Sequence, residues 1–164
     1  RKTLIDIAAN FAKQGGKVCF DTNHRPRLWS DQDIAMATYL AMAPHCHTVL
    51  PTFDDDSALV GDATPDATAN RWHALGATEV VVKCGGEPTF YSIKDGETGT
   101  VTPPKVTDII DTTSAGDSFN GSYLAARNAG RDVPAAIAVA QKVAGRVISR
   151  RGALVDISDI KLDQ

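Results

Sequence analysis

The feature that most constrains this chain is a set of short runs that are apolar at nearly every position. Lys17-Val18-Cys19-Phe20-Asp21, His47 to Leu50 and Glu79-Val80-Val81-Val82-Lys83 show no apolar–polar alternation. A strand with one wet face alternates, whereas a strand buried on both faces reads as a continuous apolar run. The intervening segments have helical spacing. Leu4, Ile5, Ala8, Phe11 and Ala12 share one helical face before Gly15-Gly16. A second helix, opened by a capping-box-like Ser30 with Asp33, extends to about Ala43 before Pro44. Residues 54–60 and 65–75 follow as helices, with Pro65 suited to a first turn. Strands joined through helices imply right-handed βαβ units and a parallel sheet covered on both faces. The expected class is α/β, a three-layer αβα fold with a mostly parallel sheet.

The second half changes character. Thr89 to Ile93 and Thr98 to Thr102 are β-like and meet across Asp95-Gly96, a strong hairpin signal. Val106 to Asp111 leads into a small-residue turn and a helix over about 115–128, stopped by Gly130. Pro134 starts an Ala-rich helix to about Arg150, and Leu154, Val155, Ile157 and Ile160 form an apolar tail. No linker or repeat interrupts residues 1–164, so one α/β domain is expected.

Charge and cysteine usage narrow the class. Lys+Arg 17 against Asp+Glu 20 gives a net charge of −3, unlike the basic footprint of a nucleic-acid binder. No apolar stretch reaches the ~18 residues of a membrane span. Cys19, Cys46 and Cys84 form no CxxC pair and are expected as small buried hydrophobes in a reducing, cytoplasmic setting. His45-Cys46-His47 is expected to start a strand, and no metal ligands are expected there. The chain opens at Arg1 rather than Met, which suggests a piece of a longer protein.

Candidate chemistry gathers where strands end, because ligands of open parallel sheets bind beyond the strand carboxyl ends. Those places are Asp21 to Arg25, Thr52 to Asp56, Lys83 to Gly86 and Asp111 to Asp117. In the last, Asp111-Thr112-Thr113-Ser114-Ala115-Gly116-Asp117 puts small residues at the mouth of a helix. Unpaired first-turn amides and the helix dipole favour an anion there, and small side chains let it approach. Asp117 stands beside that cradle, as phosphoryl transfer needs: a charge-stabilising site and a base for the attacking hydroxyl. Ser-Ala-Gly-Asp alone is more often an ordinary helix cap. Neither GxxxxGK[ST] nor GxGxxG occurs.

The string from Asp111 to Leu124 resembles the C-terminal signature of the ribokinase-like (PfkB) sugar kinases, with Ser122 where Ala or Gly is usual. Phe20-Asp21-Thr22-Asn23-His24-Arg25-Pro26-Arg27-Leu28-Trp29 resembles the corresponding segment of the 2-keto-3-deoxygluconate kinases, His24 replacing a Tyr. Leu50 to Asp56 and Val80 to Gly85 fall in family order, so the resemblance spans nearly the whole chain. It implies a ribokinase-like fold whose N-terminal part and β-lid are missing here, and ATP-dependent phosphorylation of a sugar or sugar acid. By resemblance, Asp117 is the base, and Ala115, Gly116 and the Asp117 amide form the anion hole with Ser114. Arg25 meets the substrate carboxylate or the transferring phosphate, and Asn23 helps position phosphates. Lys83, Gly85 and Gly86 line the ATP pocket, and Gln141 lies near the nucleotide.

ATP and Mg2+ are the implied cofactors. The family's Asn-x-x-Glu appears as Thr52-Phe53-Asp54-Asp55, which lacks the amide, so Asp55 is expected to act on Mg2+ through water and no direct ligand is assigned. Three consecutive acids are otherwise a solvated helix start. Some relatives need a monovalent cation near Asp111 and Thr113. Expected partners are a small sugar or sugar acid and ATP, not nucleic acid or membrane, with self-association conceivable through the missing lid region. A fragment of this kind is expected to turn over little on its own. A neutral-sugar kinase and a non-catalytic nucleotide-binding or interaction module stand as alternatives.

Overall fold

A computed structural model describes residues 1–158 and 160. The helices are α1 (Lys2–Lys13), α2 (Gln32–Met42), α3 (Phe53–Val60), α4 (Pro65–Ala74), α5 (Ala115–Asn128) and α6 (Val133–Ile148). The strands are β1 (Cys19–Phe20), β2 (Thr48–Val49), β3 (Glu79–Val82), β4 (Thr89–Ile93) and β5 (Thr98–Val101), in one sheet in that order. β1 runs parallel to β2 and β2 to β3, as the apolar runs predict, while β4 is antiparallel to β3. The strands are shorter than the runs: Lys17, Val18 and His47 at the amino ends and Asp21, Leu50 and Lys83 at the carboxyl ends lie outside them. Two compact units result: Arg1–Gly85 with Phe90–Gly99, and Gly86–Thr89 with Thr100–Gln164.

In the first unit the core is layered on the sheet. Val49, Val80, Val81 and Val82 have no exposed surface, and Ala35, Tyr39, Met42, Ala69 and Trp72 from α2 and α4 are buried with them. Complete burial of such aliphatic side chains stabilises by roughly 1.5–3 kcal/mol each. The Thr64 hydroxyl accepts from the Ala67 amide and Pro65 fills the first turn, so α4 starts where the sequence places it. The start of α2 differs. Asp31, not Ser30, is the cap, its carboxylate accepting from the Asp33 amide at 2.6 Å. Asp95 takes the left-handed conformation (φ 58°) that turns β4 into β5, as the Asp-Gly signal predicts.

The cysteines divide. Cys46 is buried, its thiol donating to the Met42 carbonyl, and burial followed by the nearby Cys19 pushes its pKa up to about 12. Cys84 is half-buried, but Cys19 is exposed, contrary to the expectation of three buried thiols, because it sits on the terminal strand of the sheet. His45 ends a short 3-10 turn rather than starting β2.

In the second unit α5 and α6 are joined through Gly130 (φ 87°), the glycine that ends α5. Phe119 and Tyr123 stack at 6.3 Å on α5, and Ala136, Ile137, Ala140 and Val143 bury one stripe of α6. The Asp132 carboxylate caps α6 by accepting from the Ala135 amide at 2.8 Å. Val106 to Asp111 forms no strand; the Ile110 and Asp111 amides donate to the Ile148 carbonyl instead.

Candidate functional site

Within the first unit, three chain segments come together beyond the carboxyl ends of β1, β2 and β3. Thr52 bridges Lys83 in parallel register, with the Phe53 amide donating to the Lys83 carbonyl at 2.9 Å. Lys83, only 8% exposed, reaches across to Asp21, its Nζ donating to Oδ2 at 2.8 Å. The other Asp21 oxygen accepts from the Asn23 amide at 2.9 Å and holds Asn23 in a left-handed turn with φ 39°. Arg25 is exposed, with Nη1 donating to the His24 carbonyl and lying 4.0 Å from Asp55 Oδ2. Burial raises the Asp55 pKa against the opposing pull of Arg25 and His24, helped by Asp56 and Asp21. Asp21 thus ties Lys83 to the Asn23 turn, and Arg25 on the same loop faces Asp55.

The acidic run is not uniformly solvated. Asp54 is exposed, Asp55 half-buried and Asp56 1% exposed. Helical spacing turns Asp56 inward with Phe53, where it accepts from Arg71 Nη2 at 2.6 Å, Trp72 Nε1 at 2.8 Å and Thr22 Oγ1 at 3.3 Å. Reading the run by composition alone missed this; its i, i+3 spacing from apolar Phe53 was the available signal.

In the second unit the turn before α5 is built around Asp111. Oδ1 accepts from the Thr113 amide and Oδ2 from the Gly152 amide, both at 2.9 Å. Hydrogen bonds from the Thr113 hydroxyl, the Gly152 amide and the Thr113 amide lower the Asp111 pKa to about 2. Ser114 then turns left-handed (φ 59°), and Ala115, Gly116 and Asp117 open α5. The Ala115 amide donates to the Thr112 carbonyl, while the Gly116 and Asp117 amides lie in the first turn of the helix, whose amides have no intrahelical acceptor. Asp117 is exposed beside them. The sequence does not indicate that the turn itself uses the Ala115 amide.

The remaining candidates have different surroundings. Gly85 takes a left-handed φ of 60°, and both it and Gly86 are exposed. Gln141 is 6% exposed, and its Nε2 donates to the Thr89 hydroxyl at 3.1 Å and the Val101 carbonyl at 2.8 Å. Both amide protons are therefore used inside the unit. Among the described residues no group of three or more His, Cys, Asp or Glu could hold a metal ion, and no helix is long and apolar enough to cross a membrane.

Residues 1–160 match the family described as pfkB family carbohydrate kinase. This chain is a member of the PfkB family. The PfkB relatives include the 2-dehydro-3-deoxygluconokinase of Haemophilus influenzae, 36% identical over 157 residues, covering 95% of this chain and 50% of that protein. The enzyme of the same name from Escherichia coli K12 is 38% identical over 159 residues, covering 94% and 51%. The chain spans about half the length of the curated relatives it matches. Among solved structures, a PfkB protein from Polaromonas sp. JS666 superposes with TM-score 0.78 and 28% identity, covering 90% of this chain and 47% of that one. A putative ribokinase II from E. coli in complex with ATP and Mg2+ gives TM-score 0.78 at 25% identity, covering 89% and 46%. The fold class is therefore the expected three-layer αβα, ribokinase-like arrangement with a mixed, mostly parallel sheet.

Proposed function

We propose that this chain is the nucleotide-and-catalysis portion of a kinase that transfers the γ-phosphate of ATP to a sugar acid of the 2-keto-3-deoxygluconate type. The observation that carries this is the Asp111–Asp117 turn, which sets the exposed Asp117 carboxylate in the first turn of α5 beside helix-heading amides. The 2-dehydro-3-deoxygluconokinase relatives at 36% and 38% identity support the substrate class. ATP with Mg2+, when bound, supplies the transferable phosphoryl group and the divalent charge between its phosphates.

The chain's own residues do the rest. Asp117 takes the proton of the attacking sugar hydroxyl onto its carboxylate, help typically worth ~10²–10⁴ in rate. The Gly116 and Asp117 amides, with the α5 dipole, stabilise negative charge on the phosphate oxygens. The exposed Arg25 guanidinium takes an oxyanion in two parallel hydrogen bonds; the sugar-acid carboxylate is the group that distinguishes this substrate. Asn23 presents its side chain to phosphate from the same loop. Lys83 places its ammonium at the strand ends while bonded to Asp21. Magnesium binds largely through water and phosphate, and Asp55 would act on it through water. Gly85 and Gly86 leave room for the nucleotide, Ser114 turns the chain into the anion hole, and Gln141 ties α6 to Thr89 and Val101.

The test is a coupled ATP assay of the full-length protein across sugar acids and neutral sugars, with Asp117→Asn alongside. The expected result is turnover of the sugar acid, and for the variant a kcat lower by about 10²-fold or more with ATP affinity nearly intact. Equal rates with substrates lacking the carboxylate would point to a neutral-sugar kinase, and normal turnover by Asp117→Asn would remove the base assignment.

A further inference from the structure

The loop bearing Asn23 and Arg25 has no regular secondary structure of its own until a short 3-10 turn at Pro26–Leu28. Its side chains nonetheless alternate strictly: Thr22 and His24 are buried, while Asn23 and Arg25 are exposed. The outward pair are the residues offered to ligand, and the inward pair are anchored. Tyr39 on α2 donates its hydroxyl to the Thr22 carbonyl at 3.3 Å, and His24 Nδ1 lies 3.0 Å from that same hydroxyl oxygen. The single phenol proton serves either the Thr22 carbonyl or His24 Nδ1, and in both cases Tyr39 ties the loop to α2.

The second anchor is the Thr22 side chain, whose hydroxyl donates to Asp56 Oδ1. Asp56 lies on α3 and is almost wholly enclosed. A buried carboxylate requires partners, and α4 supplies them: Arg71 Nη2 and Trp72 Nε1 both donate to Oδ2. Arg71 is fixed in turn by Asp62, which accepts from Nε at 3.0 Å and Nη2 at 2.8 Å, and by lying over the Trp72 ring at 5.1 Å. With Oδ2 taken up by α4, Oδ1 faces Thr22. Asn23, between these anchors, takes a left-handed turn, a conformation Asn reaches more readily than most residues, with its amide bonded to Asp21.

We propose that Asp56, oriented by Arg71 and Trp72, is a positioning residue that acts through Thr22 to hold Asn23 and Arg25 in the geometry that binds ligand. This rests on the proposed function, in which Arg25 meets the sugar-acid carboxylate. A side chain that served only the fold would stabilise the protein without affecting substrate binding.

The experiment measures steady-state kinetics of the full-length protein with a sugar acid and ATP for Thr22→Val, Thr22→Ser, Asp56→Asn, the Thr22→Val/Asp56→Asn double variant and Arg25→Gln. Thr22→Val keeps the shape and removes only the donor. It is expected to raise the sugar-acid KM by about 3- to 10-fold, the size of one net hydrogen bond, with kcat within about 2-fold. Thr22→Ser is expected to restore the KM, and Asp56→Asn to add nothing further once Thr22 is Val. If Asp56→Asn does not fold, the Val and Ser pair decides alone. A Thr22→Val KM within about 2-fold of the unaltered protein overturns the inference, as does an additive Asp56→Asn effect. Arg25→Gln separates the two levels. If it raises KM and Thr22→Val does not, only the positioning role falls; if Arg25→Gln leaves KM unchanged, or no sugar acid is turned over, the functional reading falls and the inference with it.

Discussion

Replacing Gln141 by Leu separates a packing role from a nucleotide-binding one. The side chain is 6% exposed, and its Nε2 donates to the Val101 carbonyl at 2.8 Å and the Thr89 hydroxyl at 3.1 Å. Leu is no smaller than Gln, so no cavity term arises. Two hydrogen bonds are lost, each worth about 1 kcal/mol net, and the stranded Val101 carbonyl adds a further desolvation cost. Thr89 recovers part of this by rotating its hydroxyl, and the new methyl groups gain apolar burial. The expected net loss is about 1–3 kcal/mol. Urea unfolding of the full-length protein followed by circular dichroism reads this as a lower midpoint at unchanged slope. The ATP KM, measured on the same samples, should stay within about 2-fold. Unchanged stability together with an ATP KM raised about 10-fold or more would refute the packing account and return the amide to the nucleotide.

Three further outcomes follow from the site and its supports. The folded-state pKa of Asp111 is lowered from 3.8 to about 2. Its contribution to stability is therefore fully present above pH 3.8 and lost as pH falls toward 2, so acid unfolding curves should differ between the unaltered protein and Asp111→Asn above that window and converge below it. Asp132→Ala removes the α6 cap and should cost about 1 kcal/mol in urea unfolding, with Asp132→Gly costing only a few tenths. Burial raises the Cys46 thiol to about 12, so iodoacetamide at neutral pH followed by peptide mapping should leave Cys46 unmodified in the native protein and label it only after denaturation.

The local signals transferred well where a single physical demand set the outcome. Glu79 to Val82 reads as doubly buried and is a fully buried strand paired on both sides. Asp95-Gly96 reads as a turn and is one, and the helix over Ala115–Asn128 lies where its small-residue mouth and Gly130 place it. Asp117 at the head of α5 was legible for the same reason, since helix-terminus chemistry is written within a few residues. Errors came where two neighbouring residues compete for one role, as Ser30 and Asp31 do for the α2 cap; the extended backbone of Asp31 decides it (φ −158°, ψ 140°).

What the sequence by itself determined is therefore the periodic and the local: buried strands, helix faces, the small-residue turn that opens α5, and membership of the PfkB family through contiguous motifs. What only the tertiary structure decided is the meaning of isolated polar residues. Asp54, Asp55 and Asp56 are chemically identical in sequence, yet one is solvated, one faces Arg25 and one is enclosed by Arg71, Trp72 and Thr22. Lys83 meets Asp21 across 62 positions, and Gln141 meets Thr89 across 52. The energy of a polar side chain depends on its desolvation and on the partner that compensates it, and that partner is supplied by a distant segment. No window of sequence contains both.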